Sequence, residues 1–179
     1  MVAAPGDSAR LFFAAWPAPE VQRALGGVAA SAQEECGGRA VPSDKIHLTL
    51  VFLGNVPRLR LGELEALAAT VKAPSFALAV DRLEYWRRNR ILWAGVGECP
   101  EALRALVAAL EQGLLAAGFQ CDGRPYVPHV TLLRNARRGP AELRIPPVAW
   151  PVADFALVES VRAERSTLYE VLRRWPLAS

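Results

Sequence analysis

The sequence predicts an α+β fold in which antiparallel strands form two sheets and the helices lie outside them. Many expected strands follow one another too closely for the helical crossovers that parallel pairing needs. The second observation is a repeat in the sequence. In each half of the chain, a strand that contains a histidine is followed by the segment Phe-Ala-Leu, at residues 76–78 in the first half and at residues 155–157 in the second. This repeat predicts a single domain over residues 1–179, built from two lobes related by a pseudo-twofold axis.

Two kinds of pattern predict the individual elements. Runs of β-branched and large apolar residues bounded by glycine or proline indicate strands, which are expected over residues 10–16, 46–53, 76–86, 90–96, 127–133, 154–161 and 167–175. Apolar residues at helical spacing indicate helices, which are expected over residues 20–35, 59–71 and 101–117. Gly37-Gly38 is expected to end the first helix, Gly118 to cap the third and Gly54-Asn55 to stop the second strand. No element is expected in the proline-rich stretch 140–151.

Composition argues against several classes of protein. No apolar run reaches the ~18 residues that cross a bilayer, and no basic segment precedes the short apolar run 11–16, so neither a membrane span nor a signal peptide is expected. The three cysteines are far apart without a CxxC pair, which indicates free thiols in the reducing cytoplasm. The net charge of +3 suits a polyanionic substrate, although an arginine excess also follows from a GC-rich genome.

The chain has only two histidines, and each is followed two residues later by a threonine. The segments are His47-Leu48-Thr49-Leu50 and His129-Val130-Thr131-Leu132, in a chain that holds four threonines. Side chains at positions i and i+2 of a strand share one face, about 6.5–7 Å apart. Each segment therefore presents an imidazole and a hydroxyl together, and two such strands facing a cleft surround one tetrahedral group.

This set of groups suits hydrolysis of a phosphodiester. One imidazole takes a proton from water while the other gives one to the departing sugar oxygen, and a pKa of about 6.5 serves both roles. The threonine hydroxyls donate hydrogen bonds to the non-bridging oxygens, where negative charge accumulates. A strained cyclic phosphate needs less assistance than an ordinary diester, so neither a metal nor another cofactor is expected.

Two other interpretations of the histidines are weaker. A single histidine on a half-buried strand is more often an ordinary structural residue, but this explains a matched pair of motifs poorly. A metal site needs more ligands than two histidines, and no cysteine or carboxylate triad accompanies them in the sequence. Acid–base catalysis by His47 and His129 is the interpretation that accounts for both motifs.

At these residues the sequence resembles the two-histidine (2H) phosphoesterase superfamily, and within it the RNA 2′,3′-cyclic phosphodiesterases, long called 2′-5′ RNA ligases. Residues 47–54, HLTLVFLG, resemble the first motif of the family, and residues 124–134, RPYVPHVTLLR, resemble the second. Residues 10–14 and 155–160, then Tyr169 and residues 175–177, resemble its first and last strands. The resemblance implies a bilobal fold with a central cleft. It also implies hydrolysis of the RNA end to a 2′-phosphomonoester without metal or nucleotide cofactor.

The resemblance also implies a role for each motif residue. His47 is then the proton donor to the leaving 3′ oxygen and His129 the acceptor that activates water, with Thr49 and Thr131 beside them. The family pattern has an arginine at Arg134, where it reaches the phosphate from the strand end. An offset of five residues from His129 turns this side chain away from the site unless the strand ends or bulges there. The alternative is that Arg134 is an ordinary arginine at the edge of a strand and does not reach the phosphate.

Other residues are weaker candidates for contacts with RNA. Phe12, Phe52 and Tyr126 are candidates to stack on a base, although aromatic residues on core strands more often pack. The turn Arg87-Arg88-Asn89-Arg90 either steers RNA or is a solvated hairpin tip, and Lys45 is a candidate for the cleft mouth.

Three functions are open for this set of residues. The first is the hydrolysis of RNA 2′,3′-cyclic phosphates described above. The second, on the same fold, is 2′-5′ RNA ligation or hydrolysis of small cyclic nucleotides. The third is a non-catalytic RNA-binding module, which predicts loss of one catalytic histidine, whereas both are present. The expected partner is RNA or a nucleotide rather than a membrane, and the expected form is a cytoplasmic monomer.

Overall fold

The computed structural model describes residues 7–163 and 166–179, and within them it contains nine strands and three α-helices. The strands are β1 (Ser8–Ala15), β2 (Arg39–Ala40), β3 (Leu48–Pro57), β4 (Phe76–Trp86), β5 (Ile91–Val96), β6 (His129–Arg134), β7 (Arg144–Val152), β8 (Asp154–Arg162) and β9 (Thr167–Pro176). The helices are α1 (Pro19–Cys36), α2 (Leu61–Thr70) and α3 (Glu101–Ala116). Every pair of neighbouring strands is antiparallel, which confirms the predicted α+β class.

The strands form two sheets that share one hydrophobic core. One sheet has four strands in the order β3-β1-β8-β9, and the other has five in the order β2-β6-β5-β4-β7. The core includes Phe13 and Phe155 from the four-stranded sheet and Leu92 and Leu132 from the five-stranded sheet. Helix α1 packs against the five-stranded sheet, whereas α3 and α2 pack against β3 and β9, the two edges of the other. None of the helices in the described part of the chain combines the length and apolar character needed to span a bilayer.

The same order of elements occurs twice. In the four-stranded sheet, β3 is the strand of the first His-x-Thr motif and pairs with β1, and α1 lies between these two strands in sequence. In the five-stranded sheet, β6 is the strand of the second motif and pairs with β5, and α3 lies between them. The strand after β1 in the first sheet is β8, which contains Phe155–Leu157, and the strand after β5 in the second sheet is β4, which contains Phe76–Leu78. This correspondence supports the predicted pseudo-twofold relation between two lobes.

The two halves of the chain exchange strands. Strand β4 follows the first motif in sequence but lies in the sheet of the second, where it pairs with β5. Strand β8 follows the second motif but lies in the sheet of the first, where it pairs with β1. Each motif strand therefore belongs to a sheet that needs strands from both halves.

Four details differ from the sequence prediction, the first of which is the short strand β2, where no strand is expected. Strand β3 continues past Gly54-Asn55, because Gly54 adopts a φ of +71° at an irregularity in the pairing with β1 and does not end the strand. Strand β6 begins at His129 rather than at Val127. The proline-rich stretch contains β7, which lies at a sheet edge, where a proline needs no ladder partner on its outer side.

Gly38 supports the end of β6 and gives a stability prediction. Its φ is +87°, and a Cβ there would lie 2.7 Å from both the amide nitrogen of Ala136 and the carbonyl oxygen of Arg134. We expect Gly38→Ala to lower the free energy of unfolding by about 1–3 kcal/mol, measured by urea denaturation. Gly27→Ala is the matched control, because nothing lies within 4 Å of its Cβ and alanine favours the interior of α1 by about 1 kcal/mol. Equal midpoints for the two variants would contradict this account.

Candidate active site

Both histidines are held by the same backbone hydrogen bond. His47 directly precedes β3 and its Nδ1 donates to the carbonyl oxygen of Lys45 at 2.8 Å, while His129 begins β6 and its Nδ1 donates to that of Val127 at 2.9 Å. Because a carbonyl oxygen only accepts, Nδ1 carries the hydrogen in both rings. Nε2 is therefore the nitrogen that gains or loses a proton in each imidazole.

The two motifs lie in one cleft. Strands β3 and β6 contact each other, and the charge of His129 lowers the pKa of His47. The hydroxyl of Tyr126 donates to the carbonyl oxygen of Thr49 at 3.1 Å, which ties the segment before His129 to the strand after His47. Thr49 and His129 both line a cleft of about 950 Å³. The structure thus brings the two imidazoles to the same site rather than to separate surfaces.

A β-bulge in β6 turns Arg134 toward the histidines. Trp93 of β5 pairs with Thr131, but the preceding Leu92 pairs with Leu133, so β6 contains one extra residue, Leu132. Leu132 and Leu133 are both fully buried, and the next side chain returns to the face of Thr131. The positive charge of Arg134 accordingly lowers the pKa of both His47 and His129. Because of this bulge, Arg134 lies on the side of the sheet that faces the site, although it follows His129 by five residues.

The same bulge occurs after the first motif. Phe13 of β1 pairs with Val51 and the next residue pairs with Thr49, so Leu50 is the extra residue of β3. Leu50 and Val51 are both buried, and Phe52 returns to the face of Thr49, where its side chain is 39% exposed. The guanidinium of Arg10 lies 4.8 Å from the centre of the Phe52 ring. Phe52 therefore occupies in the first motif the position that Arg134 occupies in the second.

Aromatic rings surround His47. Its imidazole stacks parallel to Trp16 with ring centres 5.0 Å apart and 2° between the planes, while Phe12 lies at 5.1 Å and the edge of Tyr169 at 5.0 Å. Burial removes water from the charged ring and lowers the pKa of His47 from 6.5 to about 4, and the charge of Arg134 acts in the same direction. The hydrogen bond to Lys45 opposes this shift without cancelling it.

Aromatic rings also contact His129, which is more open to solvent than His47. Trp86 lies 4.7 Å from its ring and Trp93 lies 6.0 Å away, both at steep angles to the imidazole. Burial lowers the pKa of His129, and the charges of Arg124 and Arg134 lower it further, while the hydrogen bond to Val127 raises it. Both imidazoles are therefore biased toward the neutral form by their surroundings.

Three weaker candidates have other contacts. Phe12 is only 4% exposed and packs on His47, so it has no open face for a base and instead orients the ring. Tyr126 is largely buried, which raises the pKa of its hydroxyl, and it acts as the tie between the two motifs. The ammonium of Lys45 donates to the carbonyl oxygen of Thr167 at 2.8 Å and is engaged there. Phe52 is the aromatic candidate that keeps an exposed side chain in the cleft.

Sequence reasoning did not single out Trp16, Trp86 and Trp93, and it cited Tyr169 only for its likeness to the family. No spacing rule connects these residues to the histidines, because the contacts depend on strand register. Ala15, the last residue of β1, pairs with Leu48, so Trp16, which follows it, comes opposite His47. Two consecutive buried residues after each threonine, Leu50-Val51 and Leu132-Leu133, are the signal in the sequence that could have indicated the bulges.

No group of three or more metal-ligating side chains is found among the residues that the structure describes. The imidazoles themselves donate through Nδ1 to backbone carbonyls, and aromatic rings rather than carboxylates surround them. These residues are suited to moving protons, and catalysis without a metal stays a prediction.

Comparisons with known proteins agree with this arrangement. A sequence model of the 2′-5′ RNA ligase superfamily matches residues 15–165. The RNA 2′,3′-cyclic phosphodiesterase of Escherichia coli (strain K12) is 34% identical over 172 residues, which cover 94% of this chain and 96% of that protein. The protein of the same name from Thermus thermophilus is 34% identical over 182 residues, covering 94% and 90%.

Solved structures show the same fold. The crystal structure of E. coli LigT complexed with 3′-AMP matches with a TM-score of 0.87 and 34% identity, covering 96% of this chain and 99% of that one. The crystal structure of TT0787 of Thermus thermophilus matches with a TM-score of 0.80 and 28% identity, covering 93% and 97%. Two antiparallel sheets, each with a His-x-Thr strand, are the arrangement expected of a two-histidine phosphoesterase. The chain belongs to the 2′-5′ RNA ligase superfamily.

The lowered pKa of His47 predicts a pH dependence of stability. The pKa is about 4 in the folded state and about 6.5 in an unfolded chain, so the unfolded state binds more protons between these values. The free energy of unfolding is therefore expected to fall as the pH is lowered through this window. His47→Asn should reduce the slope by up to about 1.4 kcal/mol per pH unit, measured by urea unfolding at several pH values. An unchanged slope in the variant would show that His47 does not titrate in this way.

Proposed function

We propose that the chain hydrolyses RNA 2′,3′-cyclic phosphates to 2′-phosphomonoesters, with His47 as the general acid and His129 as the general base. The observation that carries this proposal is the pair of equivalent Nδ1–carbonyl hydrogen bonds, which leaves one titrating Nε2 per motif, on rings close enough for the charge of His129 to lower the pKa of His47. Several relatives that match most of this chain are named RNA 2′,3′-cyclic phosphodiesterases. Both lines of support lead to the same reaction.

The two imidazoles complete a balanced hydrolysis. Nε2 of neutral His129 accepts a proton from water as the water oxygen forms a bond to phosphorus. The bond between phosphorus and the 3′ oxygen breaks, and Nε2 of protonated His47 gives its proton to that oxygen. The phosphate stays on the 2′ oxygen. The assignment of donor and acceptor, and the choice of the 3′ oxygen as the leaving group, follow the family resemblance.

Polar groups beside the histidines stabilise the transition state. Thr49 and Thr131 lie two residues after the imidazoles on half-buried strands, where their hydroxyls donate to the non-bridging oxygens. Arg134 shares the face of Thr131 and supplies positive charge. These interactions strengthen as negative charge accumulates on the phosphate oxygens, which is the condition for an effect on kcat.

The bound phosphate also sets the charge of the histidines. Burial and the charge of Arg134 bias both imidazoles toward the neutral form, since both lower the pKa of each ring. A phosphate anion between them favours an imidazolium, because opposite charges at close range stabilise each other. Substrate binding therefore promotes uptake of the proton that the general acid needs.

The supporting details of cell location and assembly are proposals of the same kind. Cys36, Cys99 and Cys121 form no disulfide in the described residues, which suits a reducing cytoplasm. The enzyme acts there as a monomer on RNA or nucleotide ends. Ligation is the reverse of the same proton transfers, and an open cleft that admits water favours hydrolysis.

Variants of the motif residues test the chemistry. We expect His47→Ala and His129→Ala each to lower kcat on an oligonucleotide with a 2′,3′-cyclic phosphate by about 10²–10⁴-fold. Thr49→Val and Thr131→Val should each lower it by about 10²-fold, because each removes one donor to the developing charge. Thr70→Val is the matched control, since that exposed hydroxyl binds the carbonyl oxygen of Leu67 at the end of α2. Each protein is assayed with and without EDTA.

Retained turnover in either alanine variant would overturn the acid–base assignment. Loss of wild-type activity on addition of EDTA would overturn catalysis without a metal.

The pH dependence of kcat/KM gives a separate test. Activity needs one charged and one neutral imidazole, so the profile should be bell-shaped, with limbs set by the two pKa values of the free enzyme. Because both values are lowered, the optimum of kcat/KM should lie below pH 6.5. The kcat optimum should lie at higher pH, since bound phosphate raises both values. Initial rates across the pH range measure both profiles, and a kcat/KM optimum on the alkaline side of neutrality would contradict them.

A further inference from the structure

The turn between β4 and β5 extends the cleft beyond the histidines. Trp86, the last residue of β4, packs on the ring of His129, and Arg87 follows it directly. Arg87 and Arg88 line the same cleft as His129 and Thr49. The tip of this hairpin is therefore the wall of the active-site cleft next to the general base.

The two arginines of the tip have charges that are available to a ligand. Both are exposed, and neither pairs with a carboxylate within residues 7–163 and 166–179. Arg90 differs, because its guanidinium donates to the carbonyl oxygens of Asn135 and Ala136 and holds the end of β6. Arg124, also in the cleft wall, forms an ion pair with Asp122. Positive charge at the hairpin end of the cleft thus comes from Arg87 and Arg88.

An aromatic side chain lines the same cleft. Phe52 is 39% exposed and belongs to the first motif strand. A groove that combines arginines with an exposed aromatic ring is the usual means of holding single-stranded nucleic acid, in which the backbone meets the charges and a base stacks on the ring. A free cyclic nucleotide, with one phosphate held by the histidines, has no second phosphate to place at the hairpin.

We propose that Arg87 and Arg88 bind the phosphodiester on the 5′ side of the terminal nucleotide, so that the enzyme selects an RNA chain over a mononucleoside 2′,3′-cyclic phosphate. This inference rests on the proposed function and names the substrate class of that site. The cyclic phosphate lies at the 3′ end of the chain, so the chain continues in the 5′ direction only. Arginine suits the role because its planar donors bind phosphate oxygens in pairs.

The test compares two substrates with the same terminal base, a trinucleotide and a mononucleoside with a 5′ hydroxyl, both ending in a 2′,3′-cyclic phosphate. We expect the double variant Arg87→Gln/Arg88→Gln to lower kcat/KM on the trinucleotide by about tenfold or more. It should leave kcat/KM on the mononucleoside within about twofold, because that substrate does not reach the hairpin tip. Arg23→Gln, an exposed arginine on α1, is the matched control and should change neither value.

Salt dependence gives a second readout on the same proteins. Neutralising one phosphate of a single strand contributes about 0.7 to the slope of log(kcat/KM) against log[salt], so the slope on the trinucleotide should become shallower by that amount in the double variant. Equal losses on both substrates, or no loss on the trinucleotide, would overturn the proposed contact while wild-type activity still supports the hydrolase. Wild-type protein that opens neither substrate would overturn the proposed function, and this inference with it.

Discussion

The chemistry of the cleft depends on one hydrogen bond made twice, from an imidazole Nδ1 to the backbone carbonyl two residues earlier. At His47 and at His129 this bond selects the tautomer and fixes the ring against its own strand. The acceptor belongs to the chain just before the strand, so the ring orientation is specified locally. The tertiary structure brings the two rings together through the contact between β3 and β6.

The equivalence of the two motifs ends one position after the bulges. Each bulge places two buried residues in succession and returns the next side chain to the face of the histidine. In β3 that side chain is Phe52, and in β6 it is Arg134. The two strands are equivalent at this position, whereas the side chain is an aromatic ring in one motif and a cation in the other. A base stacks on an aromatic ring and a phosphate binds a cation, so the two side chains suit different parts of the proposed substrate.

The amount that sequence predicts differs between the elements and the site. Most strands and all three helices follow from apolar periodicity, and the residue spacing of each motif places His and Thr on one face. Strand β7 was missed because prolines argue against a strand, and only the sheet order shows that it lies at an edge. The bulges and the contact of Trp16 with His47 depend on pairing register, which no single segment encodes. Family likeness alone therefore indicates Arg134 from the sequence, whereas the bulge in β6 explains its place in the site.

The exchange of β4 and β8 between the sheets has a consequence for synthesis of the protein. The ribosome makes β1, β3 and the His47 motif well before β8, which pairs with β1 and follows the His129 motif in sequence. A nascent chain that ends before β8 leaves one side of β1 without its partner strand. The sheet that carries the first motif is thus completed only after the second motif has been made, and the cleft is not fully assembled on a chain that lacks β8.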